Sequence, residues 1–364
     1  MTIVSPATGM RRTAPGRVKG AVVACALLAA AYIGVLAAVD GYNGVFGQLH
    51  RLLAILPFVA AASLSSYAVR YVRWRWLLAR AGAPAFPWWR GFLAYLAGFA
   101  LTASPGKVGE LLRIRYFAQM NVPAGRVIAC FVFERLFDLI VLLILALPLA
   151  LLLPKFWIGA IFVFAGLAAV VVASRNPQLR YYPVRMFRRY GLRAPARWVS
   201  TLGKGLGGVA VHAGPTECAG SLCLGVGAWS LQSLGFVVLM EHLGIGQPLF
   251  NAIAILPAAM LLGAASLIPG GIGTTEAAIA AILTLSGVSL ATGILAAVGA
   301  RVASLWFGMA TGIVSCLVLD LIPNRKSTDV CGLVPARGVA SPHGDLSDPR
   351  GVDAEHRGAM TRKV

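Results

Sequence analysis

Apolar runs long enough to cross a bilayer recur along the whole chain, and this constrains the fold more than any other feature. They cover residues 20–39, 52–69, 126–153, 156–174, 218–240 and 290–319. A helix needs about 20 predominantly apolar residues to cross a hydrocarbon core of about 30 Å. Backbone amides have no water to bond there, so the spanning elements are expected to be helices. With 58% hydrophobic and 12% charged residues over 364 positions, the chain reads as an all-α polytopic membrane protein.

The formal net charge of +19 could suggest a nucleic-acid partner. Its distribution points elsewhere. The cations gather between the apolar runs, most strongly at Arg175, Arg180, Arg185, Arg188, Arg189, Arg193 and Arg197, a stretch without acids. Such clusters mark cytoplasmic loops facing anionic headgroups. No zinc-finger spacing or recognition module is present, and nucleic acid is not expected as a partner. Cys25, Cys130, Cys218, Cys223, Cys316 and Cys331 show no paired spacing, and no metal site or other cofactor is expected.

Two stretches break the apolar pattern in related ways. The first is Ser104-Pro105-Gly106-Lys107-Val108-Gly109-Glu110, followed by Arg113 and Arg115. The second is Pro269-Gly270-Gly271-Ile272-Gly273-Thr274-Thr275-Glu276. Each is followed about thirty residues later by an arginine in an apolar run, Arg135 and Arg301. The apolar segments ahead of them, 88–103 and 248–268, are cut short by Pro-Gly. Interrupted segments in matching positions of two halves point to a transporter-type binding site.

Placing the basic loops inside gives about six transmembrane helices plus two re-entrant hairpins entering from opposite faces, an inverted-repeat-like arrangement. Counted by hydropathy alone, the spans number seven to eight. Residues 1–19 form a basic cytoplasmic N-terminus, 20–322 the membrane domain, and 323–364 a tail whose composition predicts disorder in the cytoplasm. The alternation of Arg and Trp from Arg70 to Arg80 reads as an interfacial segment.

Helix starts after Gly106 and Gly273 would present unpaired N–H groups and a positive dipole end to phosphate. Gly106, Gly109, Gly270, Gly271 and Gly273 would let a headgroup approach the backbone, with Thr274 beside them. Lys107, Arg113, Arg115, Arg135 and Arg301 are the candidate cationic partners. Glu110, Glu134, Asp138 and Glu276 are candidates for charge pairing or proton coupling. A charge at the bilayer centre costs ~2.5–3.5 kcal/mol or more, so these groups either pair with one another or serve a ligand.

These motifs, together with Arg73-Trp74-Arg75-Trp76-Leu77-Leu78 and Phe133-Glu134-Arg135-Leu136-Phe137-Asp138, resemble the family that forms the transmembrane region of lysylphosphatidylglycerol synthase, also described as a flippase-like domain. The resemblance covers about residues 20–322. It implies a multi-pass protein of the bacterial inner membrane, both termini cytoplasmic, that moves or handles a lipid. In members with a synthase half, this region flips aminoacylated phosphatidylglycerol. Relatives are linked to polyprenyl-phosphate sugars and hopanoids. The implied partner is therefore a phospholipid, a polyprenyl-phosphate lipid or a hopanoid-type lipid, with lipid-biosynthesis enzymes and a homo-oligomer as further partners.

The chain ends soon after the last apolar run, so an aminoacyl-transferase half is not expected. No HExxH, GxSxG or Walker pattern occurs, so the sequence offers no catalytic signature. Two functions of different class follow. One is translocation of an anionic or phosphate-bearing lipid. The other is a subunit, accessory or catalytic, of a lipid- or glycan-modifying membrane enzyme.

Overall fold

A computed structural model describes residues 50–152, 175–191, 214–266 and 268–322, together with a few isolated positions between 161 and 203. The chain divides into two units, Met1–Pro323 and Asn324–Val364, and all described residues belong to the first. The expected N-terminus 1–19, the first span 20–39 and the tail 323–364 lie outside the described residues, as does most of 156–174.

All regular structure among the described residues is helical. After a single α-helical turn, His50–Leu53, the α-helices are α1 (Leu56–Arg80), α2 (Trp88–Ala97), α3 (Arg113–Ala118), α4 (Ala124–Leu152), α5 (Pro177–Arg189), α6 (Pro215–His242), α7 (Leu249–Ala265), α8 (Thr274–Leu285), α9 (Leu290–Arg301) and α10 (Phe307–Leu321). Pro215–His242 and Leu290–Leu321 have the length and hydropathy to cross a membrane. The second of these is α9 and α10 joined through one π-helical stretch, Val302–Trp306. At 25 residues α1 is about 37 Å long, also enough to cross.

The sequence predicts a span over 52–69 with an interfacial segment after it, and here the structure differs. α1 runs unbroken to Arg80 and carries the Arg–Trp stretch into the bundle. Ser63, Ser66, Arg70, Arg73 and Leu77 recur at helical spacing, and all are buried. This face packs on α6, whose glycines allow the approach. A Cβ on Gly235 would lie 2.9 Å from Ala62 Cβ, and one on Gly225 would lie 2.9 Å from Arg73 Nη1. Gly225 thus makes room for a buried guanidinium.

Each helix ahead of a Pro-Gly motif stops short of it, α2 at Ala97 rather than near residue 103. α2 tightens into a 3-10 turn, Gly98–Leu101, and the chain returns through a second, Pro105–Leu112, into α3. The return is thus a 3-10 segment followed by a six-residue α-helix. α7 ends at Ala265, the chain turns through Pro269–Gly271, and α8 folds back against α7. The two returns pack on each other. A Cβ on Gly270 would sit 3.1 Å from Ala103 Cα.

Two apolar clusters surround this meeting point. One is mainly aliphatic and draws on α4 and α6 to α9, with Val141, Phe236, Leu239, Ile255 and Leu295 fully covered. The other is aromatic, with Tyr71, Trp74, Tyr95 and Phe117 at its centre.

Candidate functional site

The first return is built around Glu110. The Ser104 hydroxyl accepts from Gly109 N at 2.6 Å and fixes the turn. Glu110 then points inward, 1% exposed. Its Oε1 accepts from Thr102 Oγ1 at 2.9 Å and its Oε2 from Arg113 Nη2 at 2.7 Å. The Arg113 guanidinium is itself enclosed, 4.6 Å from the ring centroids of Trp74 and Tyr95. Gly98 leaves space for it.

One turn of α4 supplies the next three charges. Glu134 Oε1 accepts from Tyr95 OH at 2.6 Å and from Arg73 Nη2 at 3.2 Å. The same Arg73 nitrogen donates to Asp138 Oδ1 at 2.6 Å. Arg135 is held less closely. Its Nη2 lies 3.2 Å from Asp138 Oδ2, 3.5 Å from Glu134 Oε1 and 3.9 Å from Glu110 Oε2. Arg70 stacks 4.1 Å over Trp229 and approaches Asp138 Oδ2 only to 3.8 Å.

The second return is held by Arg301. Its Nη2 donates to Gly270 O at 2.6 Å and its Nε to Glu276 Oε1 at 2.9 Å. The other Glu276 oxygen accepts from Gly273 N at 2.9 Å. Gly270, Gly271 and Gly273 all have positive φ, between 61° and 84°. That conformation favours glycine and explains three glycines within four residues.

Between the two returns lies a cavity of about 60 Å³. At 10–15 Å³ per water, this is room for about four to six waters or one compact group such as phosphate. Arg70, Lys107, Glu110, Arg135, Gly270 and Arg301 contribute to its wall. Around it, Arg70, Arg73, Lys107, Arg113, Arg135 and Arg301 stand against Glu110, Glu134, Asp138 and Glu276. Six cations to four carboxylates leave an excess of two positive charges among the described residues.

The predicted residues divide by place. Lys107, Glu110, Arg135, Gly270 and Arg301 reach the cavity wall. Arg113, Glu134 and Asp138 form the ion network behind it. Gly106 and Gly109 lie in the first 3-10 segment. Gly271 and Thr274 shape the second turn, where Thr274 Oγ1 donates to Gly271 O at 3.1 Å. Arg115 lies elsewhere, in a pair with Asp320 at 3.0 Å that is about a third exposed. The expected phosphate site at the start of α8 has Glu276 bonded to its Gly273 N–H.

Tyr67, Arg70, Thr102, Trp229 and Gln232 also line the cavity, although the sequence did not single them out for this role. The polar stripe Ser63-Ser66-Arg70-Arg73 was the available signal, since a polar stripe along an apolar helix faces protein rather than lipid. No group of metal-ligating side chains occurs among the described residues.

A helical, strongly apolar chain with an ion network buried between two broken helices is a polytopic membrane domain. The sequence profile of the lysylphosphatidylglycerol synthase TM region matches residues 18–312, and the chain belongs to that family. The family is a membrane domain associated with lipid-related functions. No curated protein and no solved structure matched the chain.

Proposed function

We propose that this protein is a translocase for an anionic, phosphate-bearing lipid of the bacterial inner membrane. The observation that carries the reading is the positive excess around a cavity set between apolar helices. Charges inside a membrane are costly unless they are paired, and two unbalanced cations call for an anionic ligand. Arginine offers several donors in a planar fork suited to phosphate oxygens. Arg135, spread over three carboxylates without settling in one bidentate pair, can turn toward a phosphate at little cost.

In this reading six spans and two hairpins of opposite sense make up the domain, with both termini in the cytoplasm. The basic stretch 175–197 supports that orientation. Alternate exposure of the cavity would carry the headgroup past the two returns while the acyl chains stay in lipid. The Arg301 bonds to Gly270 and Glu276 would hold the second return shut between cycles.

The test is reconstitution of the full chain into vesicles holding a phospholipid with a fluorescent tail. Quenching of the outer leaflet reports how fast the remainder crosses. Crossing that depends on the protein, and that Arg135→Ala or Arg301→Ala slows by about tenfold or more, is expected from the loss of one charge-assisted hydrogen bond. Crossing no faster than in empty vesicles would sink the proposal.

A further inference from the structure

The charges around the cavity carry the reading further, toward a particular headgroup. Arg70 is 4% exposed and lines the cavity, yet its Nε and Nη2 have no hydrogen-bond partner among the described residues. Arg135 Nε is also without one. Lys107 lines the same cavity and makes no salt bridge within 4.0 Å among the described residues. It is also one of only two non-glycine residues among the described residues with positive φ, at 56°. A lysine in that conformation is uncommon and marks a backbone over-determined by its surroundings.

Three cations from three different elements therefore face one compact space with donors to spare: Arg70 on α1, Lys107 on the first return and Arg135 on α4. The protein supplies one carboxylate at the cavity wall, Glu110, which Thr102 and Arg113 already hold. What remains is a charge excess of two, facing one compact space.

We infer that the cavity selects a phosphomonoester headgroup over a phosphodiester, and that Lys107 reads the second negative charge. This rests on the translocase reading above. A phosphomonoester carries about −1.5 to −2 charges near neutral pH and three terminal oxygens. A phosphodiester carries one charge and has two terminal oxygens. Only the monoester matches both the excess of two and the three donor groups. A zwitterionic or cationic headgroup would leave the excess uncompensated or increase it.

The experiment uses vesicles containing the full-length protein and one of three fluorescent-tailed lipids with identical acyl chains: phosphatidic acid, phosphatidylglycerol or phosphatidylcholine. A parallel arm measures uptake of labelled inorganic phosphate. Phosphatidic acid is expected to cross about 10- to 100-fold faster than phosphatidylglycerol, the worth of one charge-assisted hydrogen bond. Lys107→Asn removes the charge with a residue that tolerates positive φ, and it should bring the ratio of the two rates close to one. Lys107→Arg keeps the charge and should keep the preference.

Equal rates for the two lipids in the wild type, or an unchanged ratio in Lys107→Asn, would overturn the monoester proposal and leave translocation standing. Acceleration of no lipid would remove the translocase reading and this proposal with it. Uptake of phosphate without movement of phosphatidic acid would assign the site to the free anion and overturn the lipid proposal.

Discussion

Arg73→Met should be among the most destabilising changes in the molecule, and its cost can be worked from the geometry. The guanidinium is fully buried and spans three helices. It reaches Asp138 at 2.6 Å and Glu134 at 3.2 Å on α4, and the Ser221 carbonyl at 3.4 Å on α6. With an effective dielectric constant of about 20, the two carboxylate attractions amount to ~6 and ~5 kcal/mol. Against this stands the desolvation of the cation, several kcal/mol, which the substitution recovers. Arg70, Arg113 and Arg135 remain nearby and partly compensate the buried acids left without Arg73. The net loss is then about 3–5 kcal/mol, the range for removing one partner of a buried pair.

The assay is equilibrium unfolding in mixed detergent micelles, with Asp138→Leu and the double variant completing a cycle. The double variant removes the pair together, so its loss should fall short of the summed single losses by about 2 kcal/mol or more. A loss below about 1 kcal/mol for Arg73→Met, or additive single effects, would show that the network does not hold α1 to α4.

Three further outcomes follow from local geometry. Gly270→Ala forces a side chain into positive φ against Ala103 and should cost about 1–2 kcal/mol, read from the same unfolding midpoints, while slowing lipid movement through the displaced Arg301 contact. A Cβ at Gly312 would overlap the Ala100 amide, so Gly312→Leu should separate α10 from the Gly98–Leu101 turn and cost at least about 1–3 kcal/mol, seen as lost monodisperse protein on size exclusion. Arg115→Ala breaks only a part-exposed pair with Asp320 and should change stability by less than about 1 kcal/mol in the same unfolding assay.

The helix-breaking motifs were readable because proline and glycine act locally. Pro105-Gly106 and Pro269-Gly270 each open a 3-10 turn, although the α-helix ahead of the first ends earlier than expected, at Ala97. Arg135 and Arg301 were conspicuous because each stands in an apolar run. Arg70 and Arg73 were not. Beside Trp74 and Trp76 they have the composition of a membrane interface, and only their spacing along α1 shows that they turn inward. Arg113 and Arg115 look equivalent in sequence, yet two residues along a helix is about 200°, so one is enclosed by aromatic rings and the other faces outward. The π-helical stretch after Arg301 has no sequence signature. There Tyr67 OH donates to the Ser304 carbonyl at 2.7 Å, a long-range bond that no local pattern announces.

The most direct test of the central claim is leaflet-resolved lipid analysis of a strain lacking this protein, complemented with the wild type or with Arg301→Ala. Translocation predicts an unchanged total lipid content, one phosphate-bearing lipid accumulating in the cytoplasmic leaflet, and rescue by the wild type alone. A lipid species missing from both leaflets would contradict it and place the protein in a biosynthetic enzyme instead.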